Sequence, residues 1–176
     1  KFVSYATKNS KFNVHGLELN ESQHLKLRDI LGEGNLFPTK IEKARFGNKK
    51  FKIITLWGVL EHLLNPISVL NHSQKILKDD GYLLCLIPNI YSRAFEILGI
   101  ASPTLNPKVH YQMYTKESFS HLCKTTGFEI IKRFCECPVI DLMYEHIHYN
   151  TELVDEIVKR EETYYYVYLL KKVKHK

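Results

Sequence analysis

Residues 51–88 read FKIITLWGVLEHLLNPISVLNHSQKILKDDGYLLCLIP, two apolar runs flanking an amphipathic segment. The first run, Phe51 to Trp57, is nearly continuous and rich in β-branched residues, the pattern of a strand covered on both faces in a parallel sheet. A turn of helix follows. Asn65-Pro66 then supplies a capping side chain and a first-position proline, so a new helix starts there. Val69, Leu70, Ile76 and Leu77 recur at helical spacing on one of its faces. Asp79-Asp80-Gly81 stops this helix, and Tyr82 to Ile87 reads as a second buried strand ending at Pro88. Strand, helix and strand in this order specify an α/β domain around a mostly parallel sheet.

The alternation continues outward. Upstream, Phe2, Val3, Tyr5 and Ala6 belong to the tail of a helix that ends near residues 9–11. Phe12 to Leu19 reads as a short strand. Asn20, with Gln23 three residues later, has the spacing of a capping box. The helix it starts carries Leu25, Leu27, Ile30 and Leu31 and stops at Gly32 and Gly34. Downstream, residues 90–110 hold two prolines and little periodicity, so a loop or lid with one short helix is expected. Thr115 caps a helix with Phe119, Leu122, Cys123 and Thr126 on one face, ended by Gly127. Phe128–Phe134 and Tyr164–Leu170 read as strands that pair antiparallel, with no crossover helix required. Residues 1–176 show no repeat or linker and are expected to form a single domain.

Composition sets bounds on function. With 176 residues, 44% of them hydrophobic, the chain can bury a core without metal or disulfides. No window approaches the roughly 18 apolar residues of a membrane span, and the first residues do not resemble a signal segment. Cys85, Cys123, Cys135 and Cys137 form no CxxC pair, so reduced thiols in a cytoplasmic protein are expected, with no zinc knuckle. The net charge of +6 comes from scattered lysines, loosely grouped at 40–52 and 171–176. That distribution describes a solvated face better than a nucleic-acid footprint, so no nucleic-acid partner is expected.

Ligands of open α/β sheets bind beyond the carboxyl ends of the strands, which directs attention to the residues there. Glu18 ends the first strand directly before a helix, where an acid can accept both hydroxyls of a ribose. The competing reading is a solvated loop acid. Gly58 lets the chain turn sharply and approach a ligand after Trp57. Glu61 and His62 sit on the short helical turn at the mouth of the sheet, and His62 is a candidate general base. His110 follows the proposed lid and places a second titratable ring on the opposite wall. Each histidine could instead be hydrogen-bonded to a neighbouring loop.

The segment FKIITLWGVLEHLLNP, continued by LNHSQKILKDDGYLLCLIPN, resembles class I S-adenosylmethionine-dependent methyltransferases of the ubiquinone-biosynthesis-like type 11 and type 23 groups. HYQMYTKESFSHLCKTTGFEII and HGLELNES are similar to two further segments of that family. The resemblance implies a Rossmann-like three-layer sandwich with a C-terminal antiparallel hairpin, S-adenosylmethionine as cofactor, and a small-molecule acceptor. It implies that Glu18, with Leu19, meets the cofactor ribose, that Ile41 and Glu42 meet the adenine, and that Trp57 and Gly58 line its methionine side. Lys52 stands where the family usually has an aspartate. The family's first strand and glycine-rich D-x-G-x-G loop would precede Lys1, so the chain is expected to be part of a longer protein whose first strand is missing here.

The implied chemistry is direct attack of a nucleophilic O, N or C on a sulfonium methyl. In-line positioning can supply on the order of 7–11 kcal/mol. His62 or His110 could remove a proton from an alcohol acceptor. Three other readings compete: a catalytically degenerate domain acting as a binding module, a dinucleotide oxidoreductase, and a metal-dependent hydrolase built on Glu145, His146 and His148 with the histidines on one strand face. No metal ligand is assigned. Acceptor choice would lie in residues 90–110 and 135–160, where Val139, Ile140, Leu142, Met143 and Tyr144 could form a lid, ordinary packing or a homodimer contact.

Overall fold

A computed structural model of the protein describes residues 2–9, 12–135 and 143–173. The chain divides into two compact units, Lys1–Lys49 and Lys50–Lys176. Among the described residues no helix is long and apolar enough to cross a membrane.

In the first unit, helix α1 (Phe2–Asn9) precedes strand β1 (Gly16–Leu17), helix α2 (Glu21–Leu31) and strand β2 (Leu36–Phe37). The expected strand over residues 12–19 contracts to its centre, where Gly16 and Leu17 pair in parallel with Leu36 and Phe37. Gly16 is what permits this packing: a β-carbon there would lie 2.8 Å from Leu31 Cδ1 and 3.2 Å from Leu36 Cδ1. Leu31, Leu36, Ala44 and Phe46 are buried, and Phe37 meets Phe46 edge to face at 5.1 Å. Asn20 caps α2 by accepting the Gln23 main-chain N–H. The other half of the expected capping box is supplied differently, because the Asn20 N–H donates to Glu18 Oε1 at 2.7 Å.

The second unit carries a four-stranded sheet of strands β3 (Phe51–Trp57), β4 (Leu77–Pro88), β5 (Phe128–Phe134) and β6 (Tyr165–Lys172), in the order β3-β4-β6-β5. β3 is parallel to β4, and β6 is antiparallel to both β4 and β5. Three of the four strands therefore run the same way, with β6 reversed in their midst. The Rossmann-like α/β class with an antiparallel C-terminal strand is borne out. Helices α3 (Pro66–Ile76), α4 (Arg93–Leu98), α5 (Lys116–Thr125), α6 (Tyr144–Ile147) and α7 (Thr151–Lys159) complete the unit.

The core follows the hydrophobic pattern. Asn65 caps α3 through the Ser68 N–H, with Pro66 in its first turn, and Val69 and Leu70 face inward. Thr115 and Ser118 close a reciprocal capping box on α5, whose Phe119, Leu122 and Cys123 are buried. Phe119 packs on Tyr168 of β6 with ring centroids 4.5 Å apart. On β4, Leu83, Cys85, Leu86 and Ile87 are buried, as a two-faced strand requires. β3 departs from the expectation: only Leu56 is buried, and Ile53 and Trp57 are exposed, because β3 lies at the edge of this sheet.

Three further departures have local causes. β4 begins directly after α3, and the residues Asp79-Asp80-Gly81 lie within it as an irregularity rather than before it. Gly81 makes that fold-back feasible, since a β-carbon would stand 2.8 Å from the Lys78 carbonyl oxygen. Lys52, in place of the family's aspartate, pairs with Asp80 across the irregularity. Residues 90–110 are more helical than a lid with one helix, adding 3-10 turns at Gly99–Ala101 and Pro103–Leu105 to α4. The connection from β5 to β6 holds α6 and α7, so these antiparallel neighbours are not joined by a tight turn.

Candidate active site

The carboxyl ends of β3 and β4 meet at Gly58, whose N–H donates to the Leu86 carbonyl at 3.2 Å. Gly58 has a φ of 61°, and a β-carbon on it would lie 3.3 Å from Glu61 Oε1. A side chain here would be both strained and crowded, so the turn after β3 requires glycine. Trp57 beside it is 39% exposed. At the end of β4, Asn89 is buried and ties this turn to the entry of β6: its Nδ2 donates to the Glu161 and Thr163 carbonyls and its Oδ1 accepts the Tyr91 N–H.

A 3-10 turn over Leu60–His62 follows Gly58 and turns Glu61 inward, where it is only 2% exposed. Its carbonyl accepts the N–H groups of Tyr111 and Gln112, which anchors the segment after residue 110. The Tyr114 hydroxyl donates to the neighbouring Leu60 carbonyl at 3.2 Å. This anchoring brings His110 to His62, with ring centroids 4.6 Å apart. His62 Nδ1 lies 2.7 Å from the Val109 carbonyl oxygen and His110 Nδ1 lies 2.8 Å from that of Thr104. A carbonyl oxygen can only accept, so Nδ1 is the donor in both rings. In the neutral form Nε2 then carries the lone pair.

Glu61 completes the cluster. Its carboxyl is raised above the ordinary range by burial, opposed by main-chain hydrogen bonding and by His62 and His110. Its Oε2 is buried without a hydrogen-bond partner. Glu61, His62 and His110 each bring one ligand atom within 4.8 Å of the others. The two histidines named from sequence are therefore brought together. The sequence places Glu61 on the same turn at the mouth of the sheet without a role; its burial is what the structure adds.

In the first unit, Glu18 sits at the end of β1 with its main-chain N–H on the Phe37 carbonyl. Its carboxylate is oriented by the Asn20 N–H, a bond that uses one of about four acceptor positions. Leu19 is 62% exposed, and Ile41 and Glu42 lie together on a 3-10 turn over Ile41–Lys43. An oriented acid at a strand end fits a ribose diol, and a glycine that excludes a β-carbon fits close approach of a ligand to main chain.

The alternative centre at Glu145, His146 and His148 is not formed as a strand. Tyr144–Ile147 is helical, and residues two apart on a helix point to different sides. Among the described residues, Glu61, His62 and His110 are the only group with metal-ligand geometry. Val139, Ile140 and Leu142 of the proposed acceptor loop lie outside the described residues.

A methyltransferase domain family model matches residues 1–133. The chain belongs to this methyltransferase family. A search of curated proteins gives no significant sequence match. Among solved structures, an S-adenosylmethionine-dependent methyltransferase from Mesorhizobium loti is similar with a TM-score of 0.62 and 15% identity, covering 90% of this chain and 80% of its own. One from Archaeoglobus fulgidus aligns with a TM-score of 0.58 and 21% identity over 89% of this chain and 75% of its own. The 1,6-didemethyltoxoflavin-N1-methyltransferase of Burkholderia thailandensis, with bound 1,6-didemethyltoxoflavin and S-adenosylhomocysteine, gives a TM-score of 0.61 and 14% identity, covering 92% and 62% of the two chains. The fold is that of S-adenosylmethionine-dependent methyltransferases.

Proposed function

We propose that the protein transfers the methyl group of S-adenosylmethionine to a nucleophilic O, N or C atom of a small-molecule acceptor. The observation that carries this reading is the family match over residues 1–133, which spans both Glu18 and the Gly58 turn. Bound S-adenosylmethionine supplies an electrophilic sulfonium methyl. The Glu18 carboxylate accepts the ribose hydroxyls, with Leu19 alongside, and Ile41 and Glu42 meet the adenine. Trp57 and Gly58 line the methionine side, the glycine through main chain that no β-carbon shields. His62 and His110 face the acceptor, and with Nδ1 of each engaged by a carbonyl, Nε2 can take a proton from an acceptor hydroxyl. A small-molecule acceptor is supported by the Burkholderia relative, which has 1,6-didemethyltoxoflavin and S-adenosylhomocysteine bound.

Calorimetric titration of the full-length protein with S-adenosylhomocysteine tests the proposal. One binding event per chain is expected. Folded protein that gives no heat would replace the enzyme reading with that of a binding module.

A further inference from the structure

We propose that Glu61, His62 and His110 form a binding site for a divalent first-row transition-metal ion, with Zn2+ the best match. This goes beyond methyl transfer and does not depend on it; a bound ion takes the Nε2 lone pairs, so His62 and His110 serve as proton acceptors only in the metal-free protein. The starting observation is a charge problem. Glu61 is 2% exposed, and its Oε2 is buried without a hydrogen-bond partner. Leaving a carboxylate oxygen in that state is costly unless a proton or a cation meets it. Both remaining members of the cluster can help supply one. Each imidazole has Nδ1 committed to a main-chain carbonyl, Val109 for His62 and Thr104 for His110, which leaves the Nε2 lone pair for a ligand. Metal-binding histidines are held this way, since a carbonyl on the far nitrogen fixes both tautomer and ring direction.

The geometry is close to that of a loaded site. One atom from each side chain lies within 4.8 Å of the others. Ligands at about 2.0–2.1 Å from a common ion stand at most about 4 Å apart, so closing the site takes side-chain shifts of under about an ångström. His62 is exposed and His110 half-buried, so the cluster has an entry path from solvent. Two nitrogens and one carboxylate select transition metals over Mg2+ and Ca2+, which prefer all-oxygen shells. Three protein ligands leave at least one coordination position for water or for a donor atom of another molecule.

The test uses the full-length protein stripped with a chelator, dialysed, and titrated with ZnCl2, with CoCl2 as a spectroscopic probe and MgCl2 as competitor. One Zn2+ per chain is expected, together with visible Co2+ absorption typical of nitrogen and oxygen ligands, and Mg2+ should not displace either. The double variant His62→Ala/His110→Ala should lose affinity by about a hundredfold or more, and the isosteric Glu61→Gln should weaken it as well. His146→Ala/His148→Ala should bind like the parent protein. Circular dichroism of the metal-free variants establishes that they are folded. Zn2+ binding that survives in a folded His62→Ala/His110→Ala protein, disappears in His146→Ala/His148→Ala, or is absent from the parent would overturn the proposal.

Discussion

Glu161 turns its main chain through the left-handed region, with a φ of 59°, and delivers its carboxylate to the guanidinium of Arg133 on β5. Lys116 at the start of α5 reaches the same carboxylate at 2.7 Å. A non-glycine residue in this conformation is strained, and these two cations hold it in place. They also draw the Glu161 carboxyl down from 4.5 to about 2, chiefly through the Arg133 and then the Lys116 hydrogen bond.

The pH dependence of stability follows from that shift. A carboxyl whose folded value is depressed contributes stability that is complete above its unfolded value near 4.5 and is lost as pH falls toward about 2. The partners are partly exposed, so solvent screening limits the contribution to about 1 kcal/mol or less. Glu161→Gln should therefore melt below the parent at pH 7, and the two curves should converge as the pH approaches 2. Melting temperatures across that range check it; a constant offset would assign the effect to something other than ionisation.

Gly58→Ala should destabilise the protein by about 1–2 kcal/mol, the cost of a left-handed L-residue. The new methyl would also press on Glu61 Oε1 and weaken S-adenosylhomocysteine binding. Gly58→Asn should recover part of the stability, because asparagine tolerates this region better. Urea denaturation and calorimetry on the three proteins separate the two effects.

Glu18→Ala should weaken binding of the cofactor product by about 1–3 kcal/mol, the value of hydrogen bonds to a charged group. The same substitution removes the acceptor of the Asn20 N–H, so α2 should fray slightly. Calorimetry that returns the parent affinity would release Glu18 from the ribose role.

Phe119→Ala removes a ring with no exposure from contact with Tyr168 and Tyr114. A loss of about 3–5 kcal/mol is expected. That corresponds to a fall in melting temperature of roughly 6–20 °C for a domain of this size. A smaller change would mean that the core repacks around the gap.

Asn89→Ala leaves the Thr163 carbonyl and the Tyr91 N–H without their side-chain partner, at about 1–3 kcal/mol for each. The Glu161 carbonyl keeps the Tyr166 hydroxyl. Hydrogen exchange should therefore show the loss at Tyr91 first, and chemical denaturation should report the total.

The elements written by strong periodic patterns were legible. FKIITLW, the Asn65-Pro66 cap, the apolar face of α5 and the final tyrosine-rich strand all stand where their residues place them. Two-residue strands carry no period, which is why β2 left no trace and β1 looked longer than it is. α7 did leave a signal: Leu153, Val154, Ile157 and Val158 at helical spacing behind Asn150, whose side chain caps the helix. Antiparallel pairing of β5 with β6 is satisfied with or without such a helix, so strand pairing alone does not require it. Of the candidate residues, Gly58 stands at a strand end and His62 lies against His110, as the alternation of strands and helices leads one to expect. The burial of Glu61 does not follow from it, because only the Tyr111 and Gln112 hydrogen bonds, fifty residues away in sequence, show how this turn is covered.

The reversed strand β6 has a consequence for assembly. Among the described residues β5 joins the rest of its sheet solely through residues 165–172, although it precedes them by thirty residues. The backbone of 128–134 gains this hydrogen-bonding mate only when the tyrosine-rich segment lies beside 82–88. A lesion in 165–172 would therefore divide the sheet in two rather than trim its margin.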